Sequence, residues 1–127
     1  MGLDHGLQVL NKDKEIISEV TWRKENHLHK WFIERCSNAE DNSEFEVTPE
    51  EFEGLLAQVT KCVEAIDKGN LEFVQRTFPT QEGFFFGSTT YDDYYYNSFS
   101  YILNDLHKLN DVLKEDDNYT LQYWSWW

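Results

Sequence analysis

The stretch from Glu44 to Gly69 constrains its own conformation more tightly than any other part of this 127-residue chain. Glu44-Phe45-Glu46-Val47 alternates acidic and apolar residues, which predicts a short strand with one buried face. It runs directly into Thr48-Pro49-Glu50-Glu51. Thr48 can cap a helix, Pro49 suits its first position, and Glu51 can close a capping box. Phe52, Leu55, Leu56, Val59, Cys62, Val63 and Ile66 then recur at steps of three and four, tracing one helical face. Lys68-Gly69 ends the pattern, with a cation in the last turn and a glycine free to turn left-handed.

Other segments follow the same logic. Residues 21–36 read as a helix with Thr21 as its N-cap, and Trp22, Asn26, His29, Ile33 and Cys36 on one face. Leu28 and Phe32 widen that face. Residues 37–43 are rich in Ser, Asn and Asp and read as a loop. Residues 71–78 fit either a short helix or a strand. A third long helix is expected from near Thr90, with Asp92 and Asp93 at its positive end. Tyr95, Phe99, Ile102, Leu103, Leu106, Leu109 and Leu113 would form its buried face. The tail, residues 119–127, alternates like a strand and is expected to pair with the strand around Phe45. Near the start, Val9-Leu10 and Ile16-Ile17 flank a charged turn, as in a short hairpin or a loose lead-in. The expectation is an α+β fold in one domain, residues 1–127, with about three principal helices packed on a small antiparallel sheet.

Nine Phe, seven Tyr and five Trp must supply much of the core, and so many rings argue against disorder. No apolar run approaches the roughly 20 residues of a membrane span. Cys36 and Cys62 lack metal-site spacing and read as buried free thiols, with a disulfide between them left open. The N-terminal residues lack signal-peptide character, and Gly6 stands where a myristoylation motif requires Ser or Thr. A cytoplasmic location is the expectation. The net charge of −13 speaks against direct binding of a nucleic-acid backbone.

Two segments resemble a known pattern. Trp22-Arg23-Lys24-Glu25-Asn26-His27-Leu28-His29-Lys30-Trp31-Phe32 is followed later by Pro79-Thr80-Gln81-Glu82-Gly83-Phe84-Phe85-Phe86-Gly87-Ser88-Thr89. Together they resemble a family of small uncharacterised bacteriophage proteins, in which a W-R-K-x-N-x-h-H-x-W-F segment (h apolar) precedes a P-T-Q-x-G-F-F-F-G-S-T segment. The resemblance implies a phage or prophage origin, hence the cytoplasm of an infected host cell. It implies no particular activity.

Three constellations are candidates for function. The first groups Trp22, Arg23, Asn26 and His29 with Gln81, Phe84, Phe85, Phe86 and Ser88. Asn26 and His29 are polar groups on an apolar stripe and need partners. They form either the floor of a ligand pocket or a satisfied network that pins the 79–90 segment to the first helix. His27 and His29 are two apart on a helix and point away from each other, so no metal site is expected. The second is the Phe run, which reads as a core plug or as an aromatic wall for a flat ligand or partner. Its neighbouring glycines lack the lysine of a phosphate-binding loop. The third is acidic. Glu40, Asp41, Glu44, Glu46, Glu50, Glu51 and Glu53 crowd a stretch without a base, and Asp111, Glu115, Asp116 and Asp117 follow later. These carboxylates read as a solvated face or as a surface steering onto a basic partner.

No catalytic set, cofactor motif or metal motif completes itself. The leading expectation is a non-enzymatic, anti-CRISPR-like inhibitor encoded by a phage. Its partner would be a host defence or nucleic-acid-processing protein with a basic groove, occluded by the acidic surface. A nucleotide-signal binder and a small enzyme using His29 are the alternatives.

Overall fold

The computed structural model describes residues 2–127. In chain order the elements are β1 (Asp4–Leu10), β2 (Ile16–Arg23), α1 (Asn26–Arg35), β3 (Glu44–Val47), α2 (Pro49–Asp67), α3 (Leu71–Thr77), α4 (Asp93–Leu113) and β4 (Thr120–Trp126). The strands form one antiparallel sheet in the order β2-β1-β4-β3. The fold is thus α+β, with the helices packed on a small sheet, and α3 settles as a one-to-two-turn helix.

The N-terminal segment is the hairpin β1–β2. Its turn is closed by Lys14 N–H donating to Asn11 O at 3.0 Å, while Asn11 Oδ1 accepts from the Asp13 and Glu15 amides. The tail does pair with the strand around Phe45, in the register Phe45↔Tyr123. It also pairs along all of β1, from Asp4↔Trp126 to Leu10↔Thr120. Both chain ends therefore lie in the middle of the sheet.

The first helix begins later than its periodicity predicts. Thr21, Trp22 and Arg23 belong to β2, and Thr21 caps nothing. The spacing from Trp22 to Asn26 mimics a helical step, but Val20-Thr21-Trp22 is β-branched and aromatic, and cross-strand pairing with β1 wins. Lys24, at φ 58°, turns the chain from strand into helix. Glu25 is the N-cap and makes no side-chain cap. Trp22 still reaches the core, now as a strand residue, and donates its indole N–H to Asp105 on α4 at 3.0 Å.

The capping box of α2 forms as the sequence predicts. Glu51 N–H donates to Thr48 Oγ1 at 3.2 Å, and Thr48 N–H donates to Glu51 Oε1 at 3.0 Å. At its other end Gly69 is left-handed, with Gly69 N–H on Ile66 O and Asn70 N–H on Ala65 O, the paired bonds of a Schellman stop. α4 starts at Asp93 rather than Thr90, because Asp92 caps it by accepting from Tyr95 N–H.

Leu7, Val9, Val20, Trp22, Phe45, Val47, Leu121 and Tyr123 form the inner face of the sheet. Leu28 and Phe32 of α1, Phe52, Leu55 and Val59 of α2, and Phe99, Ile102 and Leu106 of α4 complete the core. Phe32 stacks on Tyr123 at 3.9 Å between ring centroids. α1 is buried on two sides, since Trp31 donates to Gln58 of α2. Cys36 and Cys62 are buried and free, and burial pushes both thiols up to about 12, so they remain protonated. Among the described residues no helix is long and apolar enough to cross a membrane.

Candidate functional site

The polar residues of the first constellation divide among separate environments. Asn26 is consumed by structure. Its side-chain amide donates to Phe86 O and Ser88 O, both at 2.9 Å, and its Oδ1 accepts from Gln81 N–H at 2.9 Å. One buried side chain at the start of α1 thereby fixes three points of the 79–92 connector. Leaving these groups unpaired would cost about 1–3 kcal/mol each. This is the pinning network, and Asn26 has no remaining donor or acceptor to offer a ligand along these bonds.

His29 belongs to a buried relay. Glu25 N–H donates to His5 Nε2 at 3.3 Å, so His5 carries its proton on Nδ1 and donates to Tyr123 Oη at 2.8 Å. Tyr123 then donates to His29 Nδ1 at 2.7 Å, and His29 Nε2–H donates to Asp41 Oδ1 at 3.0 Å. A single direction of donation satisfies every member, and both imidazoles are neutral in it. Burial, then the neighbouring histidines, holds His5 well below its usual 6.5. Burial lowers His29 as well, against the opposing pull of Asp41. His5, His29 and Tyr123 are wholly buried, so no substrate reaches them.

His27 faces α4 instead. Its Nε2 lies 3.1 Å from Ser98 Oγ and 3.8 Å from Glu25 Oε2. Ser, His and Glu together suggest a hydrolytic triad, but the geometry does not serve one. In a triad the serine and the carboxylate engage opposite ring nitrogens. Here both face Nε2, and Ser98 gives its proton to Tyr95 O at 2.6 Å. Ser98 Oγ therefore accepts from His27, which cannot act as its base. Burial holds His27 down at about 3.

Glu25 is a buried carboxylate that sequence reasoning passed over. Its Oε1 accepts from Tyr94 at 3.1 Å and from Tyr101 at 2.7 Å. Burial raises its pKa, and the two phenols partly offset that. Arg23, Lys24, Asn26, Ser88 and Tyr94 border a cavity of about 260 Å³ beside it. Gln81, Phe84, Phe85 and Phe86 border a different cavity of about 310 Å³, together with Asp41, Glu82 and Trp127. The ligand pocket expected from the sequence is thus split in two, with Trp22 and His29 lining neither.

The Phe run divides by depth. Phe86 is buried, Phe85 is half-buried, and Phe84 is 95% exposed. A plug and a wall coexist in three consecutive residues, because a tight turn (Phe86 N–H on Gly83 O) rotates successive rings apart.

The acidic residues also separate. Glu46 of β3, Glu53 of α2, and Asp116 and Asp117 of the α4–β4 turn line one groove of about 360 Å³. Val47, Phe52, Leu113, Tyr119 and Leu121 supply its apolar part, and Lys114 is its one base. Glu44, on the same outer face of β3 as Glu46, lies outside that groove and near Gln122. Asp41 is committed to His29 and Trp127, and Glu51 to Thr48 and Ser37. Glu40, Glu50, Asp111 and Glu115 are exposed outside the groove. Among the described residues, none of these eleven carboxylates has a lysine or arginine within ion-pairing distance. Nor do the described residues contain three or more His, Cys, Asp or Glu side chains placed to hold a metal ion.

The residues missed from sequence were His5, Glu25, Tyr94, Tyr101 and Tyr123. His5 and Tyr123 are 118 positions apart, and no local pattern links them. One signal was present: the tail's alternation puts Tyr123 on the same face as Leu121, and a buried Tyr hydroxyl requires a partner. No family model, curated protein or solved structure matches the chain.

Proposed function

We propose that this protein is a phage-encoded, non-enzymatic inhibitor of a host defence or nucleic-acid-processing protein, anti-CRISPR-like in mode, which docks on its target's basic groove. The observation that carries the reading is the groove holding Glu46, Glu53, Asp116 and Asp117 against a single Lys114. Three separate elements deliver these carboxylates, and the apolar residues between them offer area to exclude water on docking. Unneutralised carboxylates of this kind steer onto the Arg and Lys side chains that otherwise hold phosphates. The phage origin rests on the two paired sequence segments. Burial of His27 and His29 favours binding over catalysis at those residues.

The test is competition. Purified Cas-type effectors and host nucleases with basic grooves are assayed for nucleic-acid binding with and without the protein, at low and high salt. Inhibition is expected to weaken steeply with salt, and E53K combined with D117K is expected to weaken it roughly tenfold or more. Absence of inhibition across the panel, or inhibition indifferent to salt and to charge reversal, overturns the reading.

A further inference from the structure

We propose that the cavity beneath the tip of the 81–86 loop is a receptor for a single arginine side chain of a partner protein. It stands on its own residues, whether or not the acidic groove docks.

Asp41, Gln81, Glu82, Phe84, Phe85 and Trp127 make up its chemistry, in a volume of about 310 Å³. No lysine or arginine lines it. Its two carboxylates, Asp41 and Glu82, offer acceptors. Glu82 is exposed. Asp41 Oδ1 takes His29 Nε2–H, Asn42 N–H and Trp127 Nε1–H, and among the described residues no hydrogen bond falls on Oδ2. Gln81 Oε1 is sealed from solvent and, among the described residues, has no hydrogen-bond partner, so Gln81 contributes wall and the two carboxylates carry the polar recognition.

The remaining walls are aromatic. Phe84 and Phe85 meet edge to face at 4.9 Å. Phe85 and Trp127 lie 6.3 Å apart with their planes 31° from parallel, and Phe86 meets Trp127 edge to face at 5.3 Å. The loop that carries them is held in place. Leu3 N–H donates to Phe85 O at 2.7 Å, and Asn26 holds Phe86 O and the Gln81 amide. The exposed rings are thus presented on fixed backbone, and little ordering remains to be done on binding.

A guanidinium fits both halves of this chemistry. It is flat, stacks on aromatic faces, and carries five N–H donors for the carboxylate acceptors. An ammonium is compact and strongly hydrated and uses the ring faces less well. A phosphate or carboxylate would meet Asp41 and Glu82, and an apolar side chain would leave both carboxylates without a counter-charge.

The probe is a capped glycine–arginine–glycine tripeptide titrated into the full chain, followed by the NMR shifts of the indole N–H groups. Peptides with lysine or citrulline in the central position serve as controls. Citrulline keeps the shape of the guanidinium and removes its charge. Saturable binding of the arginine peptide is expected, with both controls weaker by roughly fivefold to tenfold. F84A and E82Q alter exposed side chains, so each is expected to lose a similar factor with an unchanged melting temperature. E53K/D117K is expected to bind the peptide no worse than twofold differently from the parent (about one-half kcal/mol or less), which separates this cavity from the acidic groove. Absence of saturable binding, equal binding of either control, or full retention in F84A or E82Q overturns the proposal.

Discussion

Tyr123 shows how one buried hydroxyl joins two histidine-bearing segments, β1 and α1. Its oxygen lies between His5 Nδ1 and His29 Nδ1, and its ring stacks on Phe32. The relay it completes holds His5 and His29 neutral, and His27 is neutral through burial in its own niche. All three have folded pKa values below the usual 6.5, and His27 lies at about 3. The unfolded chain therefore binds protons first as pH falls, and stability that is complete above 6.5 drains away below it. Glu25 acts in the opposite sense. Its raised pKa lets the folded state take a proton more readily, so it offsets part of the loss as pH drops towards 4.5. Three groups outweigh one. The urea midpoint is expected to fall between about pH 7 and about pH 5, and a midpoint unchanged over that interval would contradict the buried, neutral relay.

At the scale of elements, the sheet is the part most sensitive to a single methyl group. Gly6 pairs with Thr21 on one side and Trp124 on the other. A Cβ at this position would strike the backbone carbonyl of Val20 and sit 2.9 Å from Trp124 Nε1. The indole can swing, but the β2 backbone cannot move without breaking its ladder with β1. Gly6→Ala is expected to destabilise the protein by about 2–3 kcal/mol, measured by urea unfolding. A change below about 0.5 kcal/mol, the usual size for an unconstrained surface site, would mean that the strands separate more easily than their register implies. The helix ends were much more legible. Thr48, Pro49, Glu51 and Gly69 act within a few residues of themselves, and each does what its type and position predict. The start of α1 was misread because Trp22-to-Asn26 spacing satisfies a helical step equally well. The competing preference came from β1, a strand whose partnership is not visible locally.

The whole molecule carries a net charge of −13, and Arg76–Glu72 at 3.8 Å is an exposed pair of little weight. The carboxylates repel one another more in the compact state than in the expanded one. Screening should relieve this, so the melting temperature is expected to rise by a few degrees between about 10 mM and about 200 mM sodium chloride. A falling melting temperature would show that attraction between the basic α1 region and the carboxylates dominates. The sequence by itself determined the α+β class, the long helices and the ends of α2, the pairing of the tail with Phe45, and the burial of both cysteines. These follow from periodicity and capping, which are local. Only the tertiary structure decided which polar groups meet: Asn26 with the Phe loop, His5 and His29 through Tyr123, Glu25 with two tyrosines, and Glu46 and Glu53 with Asp116 and Asp117. Such meetings depend on long loops closing and strands choosing partners, and a hydrogen bond across more than a hundred residues leaves no trace in the spacing of its two ends.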